Sequence, residues 1–318
     1  MQLTIREADP LHDYETVAAL LSTESLFPIT AAHITDWDRN RPQGQIRRRA
    51  VGINADGVIL GYSLALHHPG GTPGMWTIHV HIARDARHQG YGRQLYDDAI
   101  AFAQARGGSA FTGEVSEMQP EGRAFAERRG FHLHRHQFSS KLDLTTFDEA
   151  GFRDVIPRLE AEGIRFSSLS AEGSTPDAQR NLYELNRETD NDNPSNSGSS
   201  SFPSFDVFQQ QVLNASWFEP PGQLLAIDGD RWVGLGAVSL EPDPPSAYCA
   251  FTGVRASHRK RGIALALKLL GIRYAREHGA RTISTDNDSE NAPMLHINRK
   301  LGFQSQPGTW ILIKRGEA

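Results

Sequence analysis

The chain has 318 residues, 38% of them hydrophobic and 22% charged, and a formal net charge of −5. This composition is typical of a globular protein of about two domains, and the mildly acidic balance argues against a general nucleic-acid or anionic-membrane binder. A single cysteine, Cys249, excludes a disulfide framework and a cysteine-rich zinc site. The first residues lack the apolar run of a secretory signal, and no stretch has the length of a membrane span, so we expect a cytoplasmic protein.

The first half of the chain predicts a small unit of strands and helices. Asp56-Gly57 is typical of a hairpin turn, and Gly107 is typical of the residue that ends a helix. The predicted elements in chain order are strands at Arg49–Ile53, Ile59–Leu66 and Thr77–Ile82, a helix from Tyr91, a strand at Ser109–Val115, a short helix from Pro120 and a last strand after Gly130-Phe131, which we expect to close this unit.

The segment that follows predicts helix and then strand. Phe147–Glu162 has helical spacing, and its internal proline predicts either a kinked helix or two short ones. A strand at Ile164–Leu169 and a helix at Pro176–Thr189, with Thr175 as its N-cap, open the second half. The polar stretch Asp190–Ser204 has two interpretations, a flexible surface loop or a mobile loop that covers substrate.

The chain repeats itself at a constant offset. Adding 172 carries Arg87 onto Arg259 and also carries Gly90 onto Gly262. The second half predicts the same order of elements, with a hairpin at Asp228-Gly229, strands at Tyr248–Val254 and Arg281–Thr285, a helix from Ile263 to Gly279 and a short helix containing Pro293. Because the matches extend along most of each half at one offset, we predict two copies of one domain, at 1–146 and 147–318.

A glycine-containing turn leads from a strand into a helix in each copy. The two turns read Arg87-His-Gln-Gly-Tyr-Gly92 and Arg259-Lys-Arg-Gly-Ile-Ala264. Backbone N–H groups at the start of a helix, together with the positive end of its dipole, favour a bound phosphate. The turns lack the Gly-Lys-Ser/Thr of a P-loop and the full glycine spacing of a dinucleotide-binding fold. They therefore predict a pyrophosphate site of another kind.

With these turns, and with Gly-Phe after the next short helix, the sequence resembles the GNAT superfamily of acyl-CoA N-acyltransferases. The second copy adds Thr285-Asp-Asn287, Asn291, Asn298 and Lys300-Leu-Gly-Phe303, a run common near the end of that family's domain. The resemblance covers nearly the whole chain as two units. It implies an α/β fold of two tandem GNAT-like domains, each a mixed, mostly antiparallel sheet flanked by helices.

The resemblance implies that the enzyme binds acetyl-CoA as co-substrate, without a metal, and transfers the acetyl group to a primary amine of a small molecule or peptide. The amine would attack the thioester directly, a proton donor would assist the thiolate, and a strand N–H, that of Val254, would stabilise the developing oxyanion. The pantetheine arm would lie where two strands splay apart. The cofactor-binding residues so implied are Thr252, Gly253, Val254, Arg259, Lys260, Arg261, Gly262, Ile263, Ala264 and Asn291 in the second copy, and Val80, His81, Ile82, Arg87, His88, Gln89, Gly90, Tyr91 and Gly92 in the first.

The sequence departs from the family where many members carry a tyrosine as proton donor. Those positions hold Ala126 and Asn298. Asn298 is a candidate to hydrogen-bond the CoA, and Asp286 is a candidate general base, for which a helix- or turn-capping role is the alternative. Asn291 has two compatible roles, a pantetheine contact and a helix cap. Because its loop is more basic and its asparagines are present, we predict that the second copy transfers the acetyl group.

Histidines in the first copy raise two further possibilities. His79 and His81 on the central strand are either a general base or structural residues. His132, His134 and His136 alternate along the last strand and therefore share one face. The outer two of these are too far apart to share a zinc ion easily, so we predict a sheet face and no metal. On the second copy's central strand, Tyr248 and Thr252 are candidate pocket residues.

Two other functions remain open from the sequence. One is a non-catalytic acyl-CoA-binding or scaffold protein, because the tyrosines are missing. The other is a nucleotide-binding module unrelated to CoA. The acceptor, the acyl chain and the oligomeric state are not determined by the sequence.

Overall fold

The computed structural model describes residues 2–23, 28–69, 71–190 and 202–316. Within these ranges the chain forms two compact units. The N-terminal unit consists of residues up to His136 together with the segment from Gly308 onward. The C-terminal unit consists of the segment from Gln137 to Pro307. The predicted stretch Asp190–Ser204 lies, from residue 191 to residue 201, outside the described residues.

The N-terminal unit is a twisted sheet with helices on both faces. Its elements are β1 (Thr4–Glu7), α1 (Tyr14–Ser22), α2 (Ala31–Arg39), β2 (Ile46–Ile53), β3 (Ile59–His67), β4 (Met75–Ile82), α3 (Tyr91–Gln104), β5 (Ala110–Ser116), α4 (Pro120–Glu127) and the start of β6 (His132–Asp143). Strands β1 to β4 pair antiparallel with their neighbours, and β4 pairs parallel with β5. The apolar stripe of α3 packs on one face, whereas α1 and α2 pack on the other.

The C-terminal unit has the same succession of elements. They are α5 (Val155–Ala161), β7 (Ile164–Ser168), α6 (Pro176–Asp190), α7 (Phe205–Phe208), β8 (Gln223–Asp228), β9 (Arg231–Pro242), β10 (Pro245–Val254), α8 (Ile263–Glu277), β11 (Thr282–Asp288), α9 (Ala292–Lys300), β12 (Gln304–Ser305) and β13 (Thr309–Arg315), the last of which lies in the N-terminal unit. Strands β7, β8, β9 and β10 pair antiparallel, each with the next, and β10 pairs parallel with β11. Helix α8 covers the main core, which Leu267 and Ile272 help to form.

Each copy gives its last strand to the other unit. β13, from the second copy, pairs antiparallel with β5 in the N-terminal unit. The later part of β6, from the first copy, pairs antiparallel with β11 in the C-terminal unit. The expectation that each last strand closes its own copy was therefore wrong. The reason is that the alternation along a strand predicts which of its faces is buried but does not specify which strand it pairs with.

Several local expectations are confirmed. Thr175 caps α6, since its Oγ1 accepts from the Ala178 N–H at 3.2 Å. The helical segment after residue 147 splits into a 3₁₀ turn at Ala150–Phe152 and α5. Gly107 and Gly279 adopt left-handed backbone angles after α3 and α8. The domain ranges 1–146 and 147–318 stay a prediction about the duplication. No described helix is long and apolar enough to cross a membrane.

Candidate active site

The loop before α3 has an unusual backbone. After a 3₁₀ turn at Arg84–Ala86, Arg87 is extended, His88 has a φ of 62° and Gly90 has a φ of 84°. The Arg87 Nε donates to the carbonyl of Ile82 at 3.2 Å and so ties the loop to the end of β4. Because Gly90 is the residue before the first turn of α3, the loop directs the free N–H groups of that turn toward solvent.

The loop before α8 repeats this geometry at the offset of 172. A 3₁₀ turn at Ala256–His258 precedes Arg259, whose Nε donates to the carbonyl of Val254 at 2.9 Å. Lys260 has a φ of 62°, and Gly262 has a φ of 98°. Two non-glycine residues, His88 and Lys260, thus share a backbone conformation that such residues seldom adopt. Both loops therefore lead into a helix N-terminus through the same backbone conformation, and a helix N-terminus favours a bound phosphate.

The two loops differ in what lies beside the glycine. A Cβ built on Gly90 meets no atom within 4 Å, whereas one built on Gly262 lies 3.0 Å from the Arg158 Nη2. Arg158, on α5, donates to the carbonyl of Arg261 at 2.7 Å and forms an ion pair with Glu162. Arg261 also pairs with Glu162 at 3.2 Å. The C-terminal loop therefore has a guanidinium from α5 that the N-terminal loop lacks.

Strands β4 and β5 splay apart in the N-terminal unit. Their parallel pairing ends at Thr77↔Thr112, whereas the other edge of β5 pairs with β13 along its whole length. A cavity of ≈ 590 Å³ fills the splay and reaches the loop before α3. Of the residues predicted to bind cofactor in this unit, those that line the cavity are Val80, His81, Ile82, Arg87, His88, Gly90 and Gly92. Gln89 is exposed away from it, and Tyr91 is buried in a core cluster.

Strands β10 and β11 splay in the same way in the C-terminal unit. Their parallel pairing ends at Tyr248↔Ser284, and a bulge in β10 follows between Cys249 and Phe251. Thr252, Gly253 and Val254 pair with β9 on one side, so their other side faces the splay. A Cβ on Gly253 would lie 2.6 Å from the Thr189 Oγ1 of α6, so this position has no room for a side chain.

The remaining predicted residues of the C-terminal loop have different environments. Arg259 and Lys260 are exposed, and Arg261 and Ala264 are half-buried. Ile263 is 1% exposed and belongs to the core. Its side chain therefore anchors α8, and only its backbone N–H is free to take part in the loop.

Asp286 and Tyr248 form a polar pair on one face of the sheet. The Tyr248 hydroxyl donates to the Asp286 Oδ2 at 2.9 Å. Partial burial, and then the Asp286 charge, raise the pKa of Tyr248 well above its usual range, so the phenol stays protonated. Asp286 is exposed and lies next to the splay. The pair can accept a proton from an approaching group while the tyrosine fixes the carboxylate.

Asn298 and Asn291 have structural contacts of their own. Asn291 caps α9, since its Oδ1 accepts from the Met294 N–H at 3.3 Å. Asn298 is 2% exposed, and its Nδ2 donates to the Asn287 Oδ1 at 2.7 Å. Within the described residues, the buried Asn298 Oδ1 has no hydrogen-bond partner. A buried acceptor without a donor is costly, which indicates that a ligand N–H or water completes this group.

The offset of 172 aligns the walls of the two splays and reveals their difference. The N-terminal wall contains Tyr96, Gly113, Val115, Ala126 and Phe131. The positions that correspond in the C-terminal unit hold Lys268, Thr285, Asn287, Asn298 and Phe303, of which the first four are buried polar residues. Sequence reasoning missed Lys268, which interrupts an apolar run, and missed Thr285 as a wall residue. The same offset, applied to the positions of α8 and of β11, could have found both.

The N-terminal cavity also carries three titratable side chains. His79, His81 and Glu114 line it, and the two imidazole rings lie 6.4 Å apart and nearly parallel. Burial, and then the charges of His81 and Arg49, lower the pKa of His79 to about 4. Burial raises the pKa of Glu114, and the nearby Arg135 opposes that rise. At the corresponding positions the C-terminal unit holds Phe251, Gly253 and Asp286, so the two clefts differ in their acid–base groups.

The described residues contain no group of three or more His, Cys, Asp or Glu side chains that could hold a metal ion. This applies to His132, His134 and His136, which occupy β6 as the alternation predicts. His136 instead stacks on Trp310, with ring centres 3.9 Å apart.

The acetyltransferase (GNAT) family model matches residues 15–131 and 182–303. The chain therefore belongs to the GNAT family of acetyltransferases, and the predicted family and acetyltransferase function are confirmed. Members of this family use acetyl-CoA.

Two similar curated proteins carry the name mycothiol acetyltransferase. The one from Thermobifida fusca is 25% identical over 307 residues, which cover 93% of this chain and 89% of that protein. The one from Pseudarthrobacter chlorophenolicus is 31% identical over 96 residues, which cover 29% of this chain and 30% of that protein. The chain thus aligns with less than a third of the length of one relative and with nearly all of the other.

A solved structure supports the predicted fold. A tandem GNAT protein from the clavulanic acid biosynthesis pathway superimposes with a TM-score of 0.65 and 18% sequence identity. The match covers 100% of this chain and 99% of the chain of that protein. At that identity the likeness concerns the fold alone. The mixed sheet flanked by helices, present twice, is therefore confirmed.

Proposed function

We propose that the protein moves an acetyl group from acetyl-CoA to a primary amine of a small molecule or peptide, and that the C-terminal unit performs the transfer. The observation that carries this proposal is the polar wall of the C-terminal splay, which lies next to a loop suited to phosphate. The N-terminal splay has a comparable loop but an alanine and a valine where the C-terminal one has Asn298 and Asn287. The N-terminal loop binds a second CoA without equivalent machinery.

In this proposal the CoA pyrophosphate binds at residues 259–264. The N–H groups of the first turn of α8 donate to it, and the guanidinium groups and ammonium of the loop supply charge. The pantetheine arm follows Thr252, Gly253 and Val254, whose free side faces the splay. Arg259 and Lys260 are exposed, which supports a role for them in meeting a phosphate from solvent.

The acceptor amine approaches from the face that carries Asp286 and Tyr248. An ammonium must lose a proton before it can attack, and the Asp286 carboxylate accepts that proton directly or through water. The amine nitrogen then forms a bond with the thioester carbon, and a backbone N–H on the free side of β10, near the bulge, stabilises the oxyanion. When the carbon–sulfur bond breaks, its electron pair stays on sulfur. Asn298 is a positioning residue in this scheme, because its amide is an acid too weak to protonate a thiolate.

The acceptor belongs to the class of primary amines, as in other acetyltransferases of this family. Relatives of the chain are named mycothiol acetyltransferases. The unacetylated amine form of mycothiol therefore belongs in the first panel to assay, beside amino sugars, polyamines and peptide N-termini. Release of the CoA thiol, detected with a chromogenic disulfide, reports transfer to any of them.

Glycine substitutions in the two loops test the assignment. In Gly262→Glu the new side chain stands at a φ of 98° beside Arg158, and its carboxylate repels phosphate. Losing several charge-assisted hydrogen bonds, each worth roughly 1.5–3 kcal/mol, should weaken CoA at this site at least 100-fold and abolish transfer. Gly90→Glu is the matched control, and it should remove one CoA per chain in calorimetry while most turnover remains. The opposite pattern would assign transfer to the N-terminal unit.

A second candidate function is a non-catalytic acyl-CoA-binding protein, which the absence of a tyrosine at positions 126 and 298 favours. Tight CoA binding with no thiol release across the whole amine panel would support it over the transferase.

A further inference from the structure

Lys268 is a buried cation on α8 of the C-terminal unit. It is 3% exposed, and its Nζ donates to the Thr285 Oγ1 at 3.3 Å. The Nζ also lies 5.4 Å from the centre of the Phe303 ring. Within the part of the chain that the structure describes, no carboxylate pairs with this ammonium and Thr285 is its one hydrogen-bond acceptor. An ammonium has three N–H donors, so two of them are unused.

The ammonium lies at the base of the splay between β10 and β11. Its partner Thr285 donates to the carbonyl of Cys249 at 3.1 Å. Parallel pairing of the two strands ends one residue earlier, at Tyr248↔Ser284, so Cys249 and Thr285 are the first residues beyond it. The bulge in β10 also begins at Cys249. A pantetheine arm that enters at the α8 loop and follows β10 ends at this point, where its thiol end would meet Lys268.

A purely structural role explains this arrangement poorly. A buried ammonium with a single hydroxyl partner is destabilising relative to an apolar side chain of similar length, because its lost hydration is not replaced. Phe303 contributes a cation–π contact, which offsets only part of the hydration free energy that the ammonium loses on burial. Buried, poorly compensated charges beside a cleft are characteristic of functional sites.

We propose that Lys268 is a catalytic residue that binds the CoA sulfur and stabilises the thiolate as the acetyl group leaves. The proposal rests on the function proposed above, since it requires CoA in the C-terminal splay. The amine nitrogen bonds to the carbonyl carbon, the carbon–sulfur bond breaks, and its electron pair stays on sulfur. The ammonium donates a hydrogen bond to that sulfur. The proton that the amine loses to Asp286 returns through solvent to give the CoA thiol, so the overall reaction is amine plus thioester to amide plus thiol.

The predicted consequence is a bound CoA thiol that ionises more readily than free CoA. A positive charge within hydrogen-bond distance favours the thiolate and lowers the pKa of the thiol. The experiment uses the full chain carrying Gly90→Glu, so that only the C-terminal loop binds CoA. Ultraviolet absorbance of the thiolate, measured across pH with CoA bound, gives the pKa of the thiol without an acceptor. Four proteins are compared: this parent and the parent with Lys268→Met, Lys268→Arg or Lys300→Met.

We expect the parent to lower the CoA thiol pKa by at least one unit, which raises the thiolate fraction about tenfold at neutral pH. Lys268→Met should lose this shift, and Lys268→Arg should keep most of it. Lys300→Met removes an exposed charge on α9 and should match the parent. Thermal denaturation accompanies each titration, and Lys268→Met should be at least as stable as the parent.

An unshifted thiol pKa in the parent, or the same shift in Lys268→Met, would overturn the proposal while leaving the proposed function intact. A lower melting temperature of Lys268→Met with the thiol pKa unchanged would make the lysine structural. Absence of CoA binding to the parent would instead refute the function proposed for the C-terminal loop. If Lys268→Met fails to fold, Lys268→Gln against Lys268→Arg makes the same comparison.

Discussion

Leu312 is a residue of the second copy whose loss should weaken the N-terminal unit. It lies on β13, is 0% exposed, and packs in one cluster with Trp76, Tyr96 and Phe131. Leu312→Ala removes three buried carbon atoms and leaves a cavity. For a fully buried leucine this costs 2–5 kcal/mol, and we take about 3 kcal/mol. The sequence position alone would assign that loss to the C-terminal half.

Native-state hydrogen exchange, followed by mass spectrometry of peptides, measures where the loss falls. A change of about 3 kcal/mol lowers the protection of amides that exchange through opening of the unit by roughly 100-fold. We expect this decrease in peptides from β5 and α3, and little change in peptides from β11 and α8.

Leu142→Ala is the matched control. Leu142 lies on β6, is 5% exposed and packs in the core of the C-terminal unit. Its substitution should lower protection in β11 and α8 and spare β5 and α3. If Leu312→Ala instead reduces protection in the C-terminal unit alone, the exchange of strands is refuted.

Two further predictions follow from single side chains. His79 has a folded pKa of about 4, below the ordinary 6.5, so the unfolded chain binds the additional proton between these values and stability falls as pH drops from about 6.5 to 4. His79→Phe should remove about 3 kcal/mol of this acid sensitivity in urea titrations, and an unchanged pH slope would contradict the prediction. In the Gly90→Glu protein, Glu162→Gln should tighten CoA binding severalfold, because the Glu162 carboxylate no longer competes with phosphate for Arg158 and Arg261. In the same protein, Arg158→Ala should weaken CoA binding about fivefold. Arg276→Ala, an equal charge change at the far end of α8, is the calorimetric control, and an effect of that size would show that the change is not local to the loop.

The offset between the two copies predicted much of the fold. It placed Gly90 and Gly262 before their helices, and the structure gives both loops the same left-handed residues, His88 and Lys260. That success has a simple cause, because a turn between a strand and a helix is specified by residues close together in the chain. Capping by Thr175 is local in the same sense.

What depended on distant contacts could not be predicted. The exchange of β6 and β13 was missed because strand alternation gives the buried face but not the neighbour. Arg158 was not assigned to the loop because 103 residues separate it from Arg261. Lys268 was not singled out, because the sequence does not reveal that Thr285 and Phe303 lie beside its ammonium.

The exchange of last strands has a consequence for synthesis on the ribosome. The N-terminal unit is translated first, yet β5 has its partner only when residues 309–315 have emerged. At roughly 5–20 residues per second, the nascent chain would wait on the order of 10–30 s between the end of β6 and the arrival of β13. During that time the edge of β5 is unpaired and open to association with other chains. In the C-terminal unit the order of synthesis is reversed, because β6 has already been made when its partner β11 emerges. We therefore expect the half that is translated last to complete its sheet first.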